Sequence, residues 1–395
     1  MGRIVVTGMG IICSLGCGTE EVFASLRAGV ACVGAARHLR TIHTELPVGE
    51  VSMSNEEMIS LLGLPADMVV TRTPLLGMVA FQQAVNQAGL TDATRTAFVN
   101  GTTVGGMEKS EQYYLDFFEG KHTEYIGAHD CGAGTEQIGR LFGHLDSMCT
   151  ISTACSSATN AIIMGANLIK SGRVEAAIVG GTESLSKFHL NGFNSLMILD
   201  HDNCKPFDKN RNGLNLGEGA AYLVIESEES ARARGCEPIC ELSGYANACD
   251  AFHQTATSPE GEGAYLAMKG ALAKAGLRPS DIDYINAHGT GTGNNDQCES
   301  VAIKRVFGDE MPRFSSTKAF TGHTTSAAGA VEAVISILAL TNNYIPANLN
   351  FSEPIEETGL TPVSEGMESV SLRHVMSNSF GFGGNDSSCI FSKIN

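Results

Sequence analysis

Short β-branched runs alternate along this chain with longer stretches whose apolar residues recur at helical spacing. Residues 4–7 read as a strand running into a glycine turn. Residues 74–88 keep a helical apolar period and stop at Ala88-Gly89-Leu90. Residues 97–100 form a short strand closed by Gly101-Thr102-Thr103, and 149–152 form another that feeds an apolar helix over 156–169. Residues 176–179 follow as a strand ended by Gly180-Gly181. Strand and helix in repeating order predict an α/β fold with at least partly parallel sheets.

The pattern also repeats. A second helix over 263–275 ends in Ala275-Gly276-Leu277, and a strand at 284–287 then runs into His288-Gly289-Thr290-Gly291-Thr292. The strand–loop–helix order of 149–169 returns over 313–340. Two ordered matches predict two halves of similar topology, 1–245 and 246–395, with the seam near 240–250. The acidic-to-basic stretch 226–234 reads as a solvated helix just before that seam.

Composition narrows the class. Apolar residues make up 43% of 395 and charged residues 17%, enough for a large core and against disorder. The formal charge of −17 argues against a nucleic-acid or anionic-membrane binder. Twelve cysteines in so long a chain, with no Cys-x-x-Cys, read as reduced, mostly buried thiols rather than a disulfide scaffold or zinc ribbon. The apolar opening is broken by Gly8 and Gly10, and Val6 breaks the myristoylation pattern. No run of about 18 apolar residues stands out, so a cytoplasmic protein without a membrane span is expected.

Four segments at element ends carry candidate chemistry: Ser152-Thr-Ala-Cys155-Ser-Ser, His288-Gly-Thr-Gly-Thr292, Ser316-Thr-Lys318-Ala-Phe-Thr-Gly-His323 and Asn378-Ser-Phe-Gly-Phe382-Gly-Gly384. Cys155 sits at a predicted helix start, where unpaired N–H groups favour a thiolate and can hold an oxyanion. A cysteine before an apolar helix is more often core, and either histidine alone is more often structural. Their combination is what points to chemistry. Lys318 with Glu332 reads either as a buried pair that orients an imidazole or as a surface salt bridge. The turn at 380–384 reads as a hinge presenting a backbone N–H and a movable Phe, since no helix pattern follows as a phosphate loop requires. No His-Glu-x-x-His spacing occurs, so no metal is expected. One cysteine with two neutral histidines suits acyl transfer through a thioester, the histidines hydrogen-bonding a carbonyl that becomes enolate-like when carbon dioxide leaves.

These motifs together resemble the elongating β-ketoacyl-acyl-carrier-protein synthases, most closely the type II enzyme of dissociated fatty acid synthesis. Pro206-Phe-Asp208-Lys-x-Arg211-x-Gly213, Gly217-Glu-Gly219-Ala and Asp250-Ala-Phe-His253 with Thr255 and Ser258-Pro259 are similar to that family too. The resemblance spans essentially the whole chain. It implies a thiolase-like, five-layered αβαβα fold built from two related halves. Cys155 would take an acyl chain from an acyl carrier protein. His288 and His323 would assist decarboxylation of the malonyl carrier, and Lys318 and Glu332 would support them. The N–H groups of Cys155 and Phe382 would form the oxyanion hole, with Phe382 as gate. Val104, Gly105, Gly106 and Phe380 would line the acyl pocket. Lys205, Lys209, Arg211, Arg72 and Thr255 would serve carrier docking. No cofactor of its own is implied, the 4'-phosphopantetheine arriving on the carrier, and the assembly would be a homodimer or a heterodimer with a related subunit.

Three departures stand against the family pattern. Asn385 replaces a Thr after the Gly-Gly, His288-Gly-Thr-Gly-Thr292 continues into Gly-Asn-Asn-Asp296 without the usual Pro, and 107–139, with Tyr113, Tyr114, His122, His129 and Asp130, does not read like the fatty acid enzymes. That segment suits an unusual or unsaturated chain, or is surface loop drift. The leading expectation is decarboxylative condensation in fatty acid elongation. The alternative is a ketosynthase of an aryl-polyene or polyketide pathway acting with a chain-length-factor partner. A non-catalytic chain-length factor would lack Cys155, a degradative thiolase would need a second catalytic cysteine where Cys389 lies in a strand-like context, and a starter-unit synthase would carry Asn in place of His323.

Overall fold

The computed structural model describes residues 2–394. Among the described residues, eleven strands form one mixed sheet. In chain order they are β1 (Ile4–Cys13), β2 (Gly16–Cys17), β3 (Thr96–Gly101), β4 (Ser147–Ile151), β5 (Ala176–Glu183), β6 (Gly219–Ser227), β7 (Cys240–Cys249), β8 (Tyr284–Asn286), β9 (Arg313–Ser315), β10 (His374–Gly381) and β11 (Asn385–Ser392). From one edge the order is β4-β3-β5-β6-β1, then β7-β11-β10-β8-β9, with β2 paired to β1. If the small β2 is set aside and each half's strands are numbered from one, both halves read 3-2-4-5-1 from their outer edges. The internal repeat is therefore real at the level of topology. β1 and β7 join the halves through Val5–Glu241 and Val6–Cys240, and residue 245 lies inside β7.

Helices Ser157–Lys170 and Ala328–Asn342 fill the space between the two halves, each touching strands of both. Helix Arg72–Ala88 covers the outer face of β1, β5 and β6. Helix Glu262–Ala275 covers β7 and β11, with Gly293–Phe307 packed beside it. This is the expected five-layered αβαβα order. The stretch Thr325–Asn342 is long and apolar enough to cross a membrane by composition, but 89% of it is buried as the central core helix.

Glycine punctuation misleads at two strands. Gly8 and Gly10 do not end β1, because they face helix Arg72–Ala88 at close range: a Cβ on Gly10 would come within 2.8 Å of Gln83 Cβ. β5 likewise continues through Gly180 and Gly181 to Glu183, and a Cβ on Gly181 would meet that of Ala158 at 2.8 Å. Gly8, Gly10 and Gly181 let helices press onto the sheet, whereas Gly180 faces the neighbouring strand β6. The expected solvated helix over 226–234 is also shorter, Glu228–Ala233. Glu226 ends inside β6, fully buried, its carboxylate accepting from Thr7 Oγ1 at 2.6 Å and from Arg234 Nη2 at 2.7 Å.

Candidate active site

β4 delivers the chain into a tight turn whose Ala154 adopts φ 49, a left-handed conformation that a Cβ disfavours. The turn is locked by its serines. Ser157 Oγ accepts from Thr153 N–H at 2.9 Å and donates to Ala154 O at 2.6 Å, while Ser156 Oγ lies 2.8 Å from Thr153 O. Cys155 is thereby held, buried, at the mouth of helix Ser157–Lys170.

His288 follows β8, and His323 lies between the short helix Lys318–Thr321 and helix Ala328–Asn342. His323 Nε2 is 3.0 Å from Cys155 Sγ, and the two imidazoles meet edge-on with centroids 5.3 Å apart. The potential ligating atoms of all three residues lie within 4.8 Å of one another. Three distant stretches of chain therefore meet at one sulfur.

Lys318 approaches His288 rather than His323. Its ammonium donates to His288 O at 2.5 Å, lies 3.3 Å from His288 Nδ1 and pairs with Glu332. Both side chains are almost wholly buried, at 1% and 2% exposure, which settles the pair as internal. A donor at Nδ1 leaves the Nε2 of His288 as the protonated nitrogen. Burial, reinforced by Lys318, pushes both histidines well below the ordinary imidazole range, so both rings are neutral. Burial lifts Glu332 to about 7 against the pull of Lys318.

The thiol behaves differently from the sequence expectation. Burial raises Cys155 to about 11, with Lys318 and the N–H groups of Phe382 and Cys155 acting in the opposite direction. Desolvation outweighs the helix N-terminus here. The resting centre is a neutral thiol facing a neutral imidazole that can take its proton.

Phe382 opens the turn between β10 and β11, and its N–H points at the sulfur. Its ring stacks on Phe193 of helix Lys187–Ser195. Beside Cys155 lies a cavity of about 190 Å³ lined by both histidines, Phe193, Phe380, Phe382 and a polar wall that includes Thr255, Thr257, Thr290, Thr292 and Asn294. Phe380, expected in the acyl pocket, and Thr255, expected at the docking surface, both line this one cavity. Among the described residues, Val104, Gly105 and Gly106 give this cavity no wall. Gly106 N–H instead donates to His129 O at 3.2 Å as the 107–139 segment folds over this loop.

The expected docking residues divide. Arg72 is a correction: it is buried, and its guanidinium grips Glu218 at 2.6 Å as well as Val51 O and Asn55, so it faces no partner. Arg211 is half-buried and donates to the carbonyls of Asp208, Thr292 and Gly293 at 3.0, 3.2 and 2.9 Å. It holds the cavity's rim. Lys209 lies 3.9 Å from Glu353, and Lys205 borders a surface hollow with His201 and Asp202.

Three buried acids escaped the sequence reading as site residues. Glu299, raised by burial to about 7, accepts from the N–H groups of His288 and Gly289 at 2.9 and 2.7 Å. Asp296 accepts from Gly291 and Phe207 N–H, tying the His288 loop to the 206–208 turn. Glu183 accepts from Thr102, Thr103 and Ser326 behind the nucleophile. The one sequence signal for Asp296 and Glu299 is inward helical spacing, shared with Ala302 and Ile303, all buried, whereas Glu183 ends strand β5.

Helix Met107–Phe118 has no buried residue and exposes Tyr114, Leu115 and Phe118. Tyr113 stacks on His122 at 4.1 Å, and Asp130 caps helix Cys131–Gly139. β4 is an outer strand of the sheet, with Met148 exposed.

The model of the beta-ketoacyl synthase N-terminal domain matches residues 1–231, and that of the C-terminal domain matches 239–352. The chain is similar to nodulation protein E of Rhizobium meliloti strain 1021, 34% identical over 404 residues and 99% of each chain. It is also 35% identical over 428 residues to 3-oxoacyl-[acyl-carrier-protein] synthase 2 of that strain, covering 100% of this chain and 99% of the relative. Among solved structures it is similar to the ishigamide ketosynthase/chain length factor, with a TM-score of 0.92, 32% identity and full coverage of both chains. The ketosynthase ApeO in complex with its chain length factor ApeC, from Xenorhabdus doucetiae, has a TM-score of 0.87 and 32% identity over 100% and 98% of the chains.

Proposed function

This chain belongs to the beta-ketoacyl synthase family and is a Claisen-condensing enzyme of the ketosynthase type; from that premise we propose that it extends carrier-bound acyl chains in a specialised aryl-polyene or polyketide pathway, together with a related chain-length-factor subunit. The observation that carries this reading is whole-chain likeness to two ketosynthases whose structures are described with chain length factors. The exposed apolar face of helix Met107–Phe118 and the outer strand β4 offer such a subunit a place to pair.

The residues divide the work as follows. Cys155 Sγ attacks the acyl thioester of a carrier protein while His323 Nε2 takes the thiol proton. The carrier's pantetheine thiolate leaves and is reprotonated. The polar wall of Thr255, Thr257 and Asn294 suits the amides of that arm. Malonyl carrier then enters and loses carbon dioxide, and the new enolate oxygen accepts from the His288 Nε2–H that Lys318 enforces. The enolate carbon attacks the Cys155 thioester, and the tetrahedral oxyanion accepts from the N–H groups of Cys155 and Phe382. Collapse expels the Cys155 thiolate, which takes up a proton from solvent to restore the resting thiol, and releases a 3-oxoacyl carrier two carbons longer.

Fatty acid elongation is the second reading, favoured by the 35% identity to the synthase 2 of Rhizobium meliloti. Mass spectrometry of Cys155 after incubation with a panel of acyl carrier proteins separates the two. Loading and extension of conjugated or aryl-primed chains, dependent on a second subunit, supports the proposal. Efficient extension of saturated medium and long chains by this chain alone would replace it with the second reading.

A further inference from the structure

The turn Phe382–Gly384 is soft at its centre. Gly383 and Gly384 take φ values of 82 and 74, so the turn has little stiffness of its own and its ends must place it. The incoming end is stitched by Ser379, whose Oγ donates to Cys155 O at 2.9 Å. The outgoing end is Asn385, one of the positions where this chain departs from the pattern it resembles. Its Oδ1 accepts from Ser156 Oγ at 2.8 Å, Asn160 Nδ2 at 2.7 Å and Asn247 Nδ2 at 2.8 Å.

These donors come from three separate elements: the turn holding the nucleophile, the helix it opens and strand β7 of the other half. The net closes on itself, because Asn160 Oδ1 accepts from Ser387 Oγ at 2.8 Å and from Asn247 Nδ2 at 3.1 Å. Ser156 is fully buried, so its hydroxyl would lose a partner if Asn385 lost its oxygen.

We propose that Asn385 is a positioning residue for the condensation: it holds the Phe382 N–H in register with the Cys155 N–H by fastening the end of the gate turn to the residue after the nucleophile. The inference rests on the roles given above to Cys155 and Phe382. Asn385 touches no substrate; it acts through the two N–H groups it aligns.

The test compares Asn385→Leu, which keeps the size and removes the acceptor, with Asn385→Asp, which keeps an oxygen for all three donors. Asn385→Leu should lower kcat about tenfold while leaving KM for the carrier-bound substrate unchanged, as expected when aligned groups drift. Alkylation of Cys155 by iodoacetamide at pH 8, read by mass spectrometry without any substrate, should slow severalfold as the Phe382 N–H leaves the sulfur. Asn385→Asp should restore both. If Asn385→Leu does not fold, Asn247→Leu, which removes one donor from the exposed edge of β7, should show the same alkylation change in smaller measure. Wild-type kcat and alkylation in Asn385→Leu, or an Asp variant as impaired as the Leu variant, overturns the proposal; so does unchanged alkylation in Asn247→Leu. If no acyl carrier loads wild-type Cys155 but alkylation still responds to Asn385→Leu, the functional reading fails and the positioning role stands.

Discussion

The ring of Phe382 stacks on that of Phe193, with centroids 5.8 Å apart and planes 20° from parallel. The Phe382–Gly384 turn is therefore held from outside itself, by helix Lys187–Ser195. That helix is itself clasped, since Glu111 accepts from the N–H groups of Lys187 and Phe188 at 2.8 and 2.9 Å. A stacked pair contributes about 0.5–1.5 kcal/mol beyond its buried area. Phe193→Leu should therefore slow single-turnover acylation of Cys155 by roughly two- to tenfold, and Phe193→Tyr should restore it. Equal rates in the Leu variant and the wild type would show that the stack holds nothing.

Lys318 and Glu332 form a pair in which each charge is tolerable only because of the other. Lys318→Met should destabilise the fold by about 3–5 kcal/mol, because Glu332 is left buried without its cation. Adding Glu332→Gln should return much of that stability in urea unfolding. It should not return malonyl decarboxylation, since no donor then fixes the His288 tautomer. Recovery of both by the double variant would contradict the orienting role.

Direct alkylation of Cys155 should follow the neutral-thiol geometry. With the thiol pushed up to about 11, the thiolate fraction climbs about tenfold per pH unit through neutrality. Iodoacetamide labelling should rise steadily from pH 7 to 10, and a plateau near pH 7 would mean a standing thiolate. The pH profile of condensation should show no imidazole titration down to about pH 6, since both histidines are held well below their usual range; a fall centred near pH 7 belongs to Glu332 and Glu299, each raised by burial to about 7.

Arg72 and Lys205, grouped together by sequence as carrier contacts, should separate in experiment. Arg72→Met strands Glu218 in the interior and should cost about 3–5 kcal/mol of stability, with carrier affinity unchanged in the folded fraction. Lys205→Glu should weaken turnover with carrier-bound substrate and spare acyl transfer from a small thioester. Arg211→Ala should impair both substrates, because its guanidinium holds Thr292 and Gly293 at the cavity rim. Equal losses with both substrates for Lys205→Glu would remove it from the docking surface.

The residues the structure gathers at the site were legible in the sequence because close packing leaves marks around them. Cys155, His288, His323, Lys318 and Phe382 all sit among glycines and small hydroxyl residues, where tight turns end strands and open helices. Partners that act across long separations leave no such mark. Glu299 looks like any acid on a helix until Gly293–Phe307 turns it toward the His288 backbone. Arg72 reads as an exposed cation because Glu218, its partner, lies 146 residues away. The thiol misled for another reason: position at a helix start is visible in sequence, whereas the depth of burial that outweighs it depends on the whole fold.

The sulfur belongs to one copy of the 3-2-4-5-1 arrangement and both imidazoles to the other. Severing the backbone between the copies would leave neither fragment with a reacting pair. Condensation is in this sense a property of the seam, and any slippage of one copy against the other is felt first at a single 3.0 Å contact.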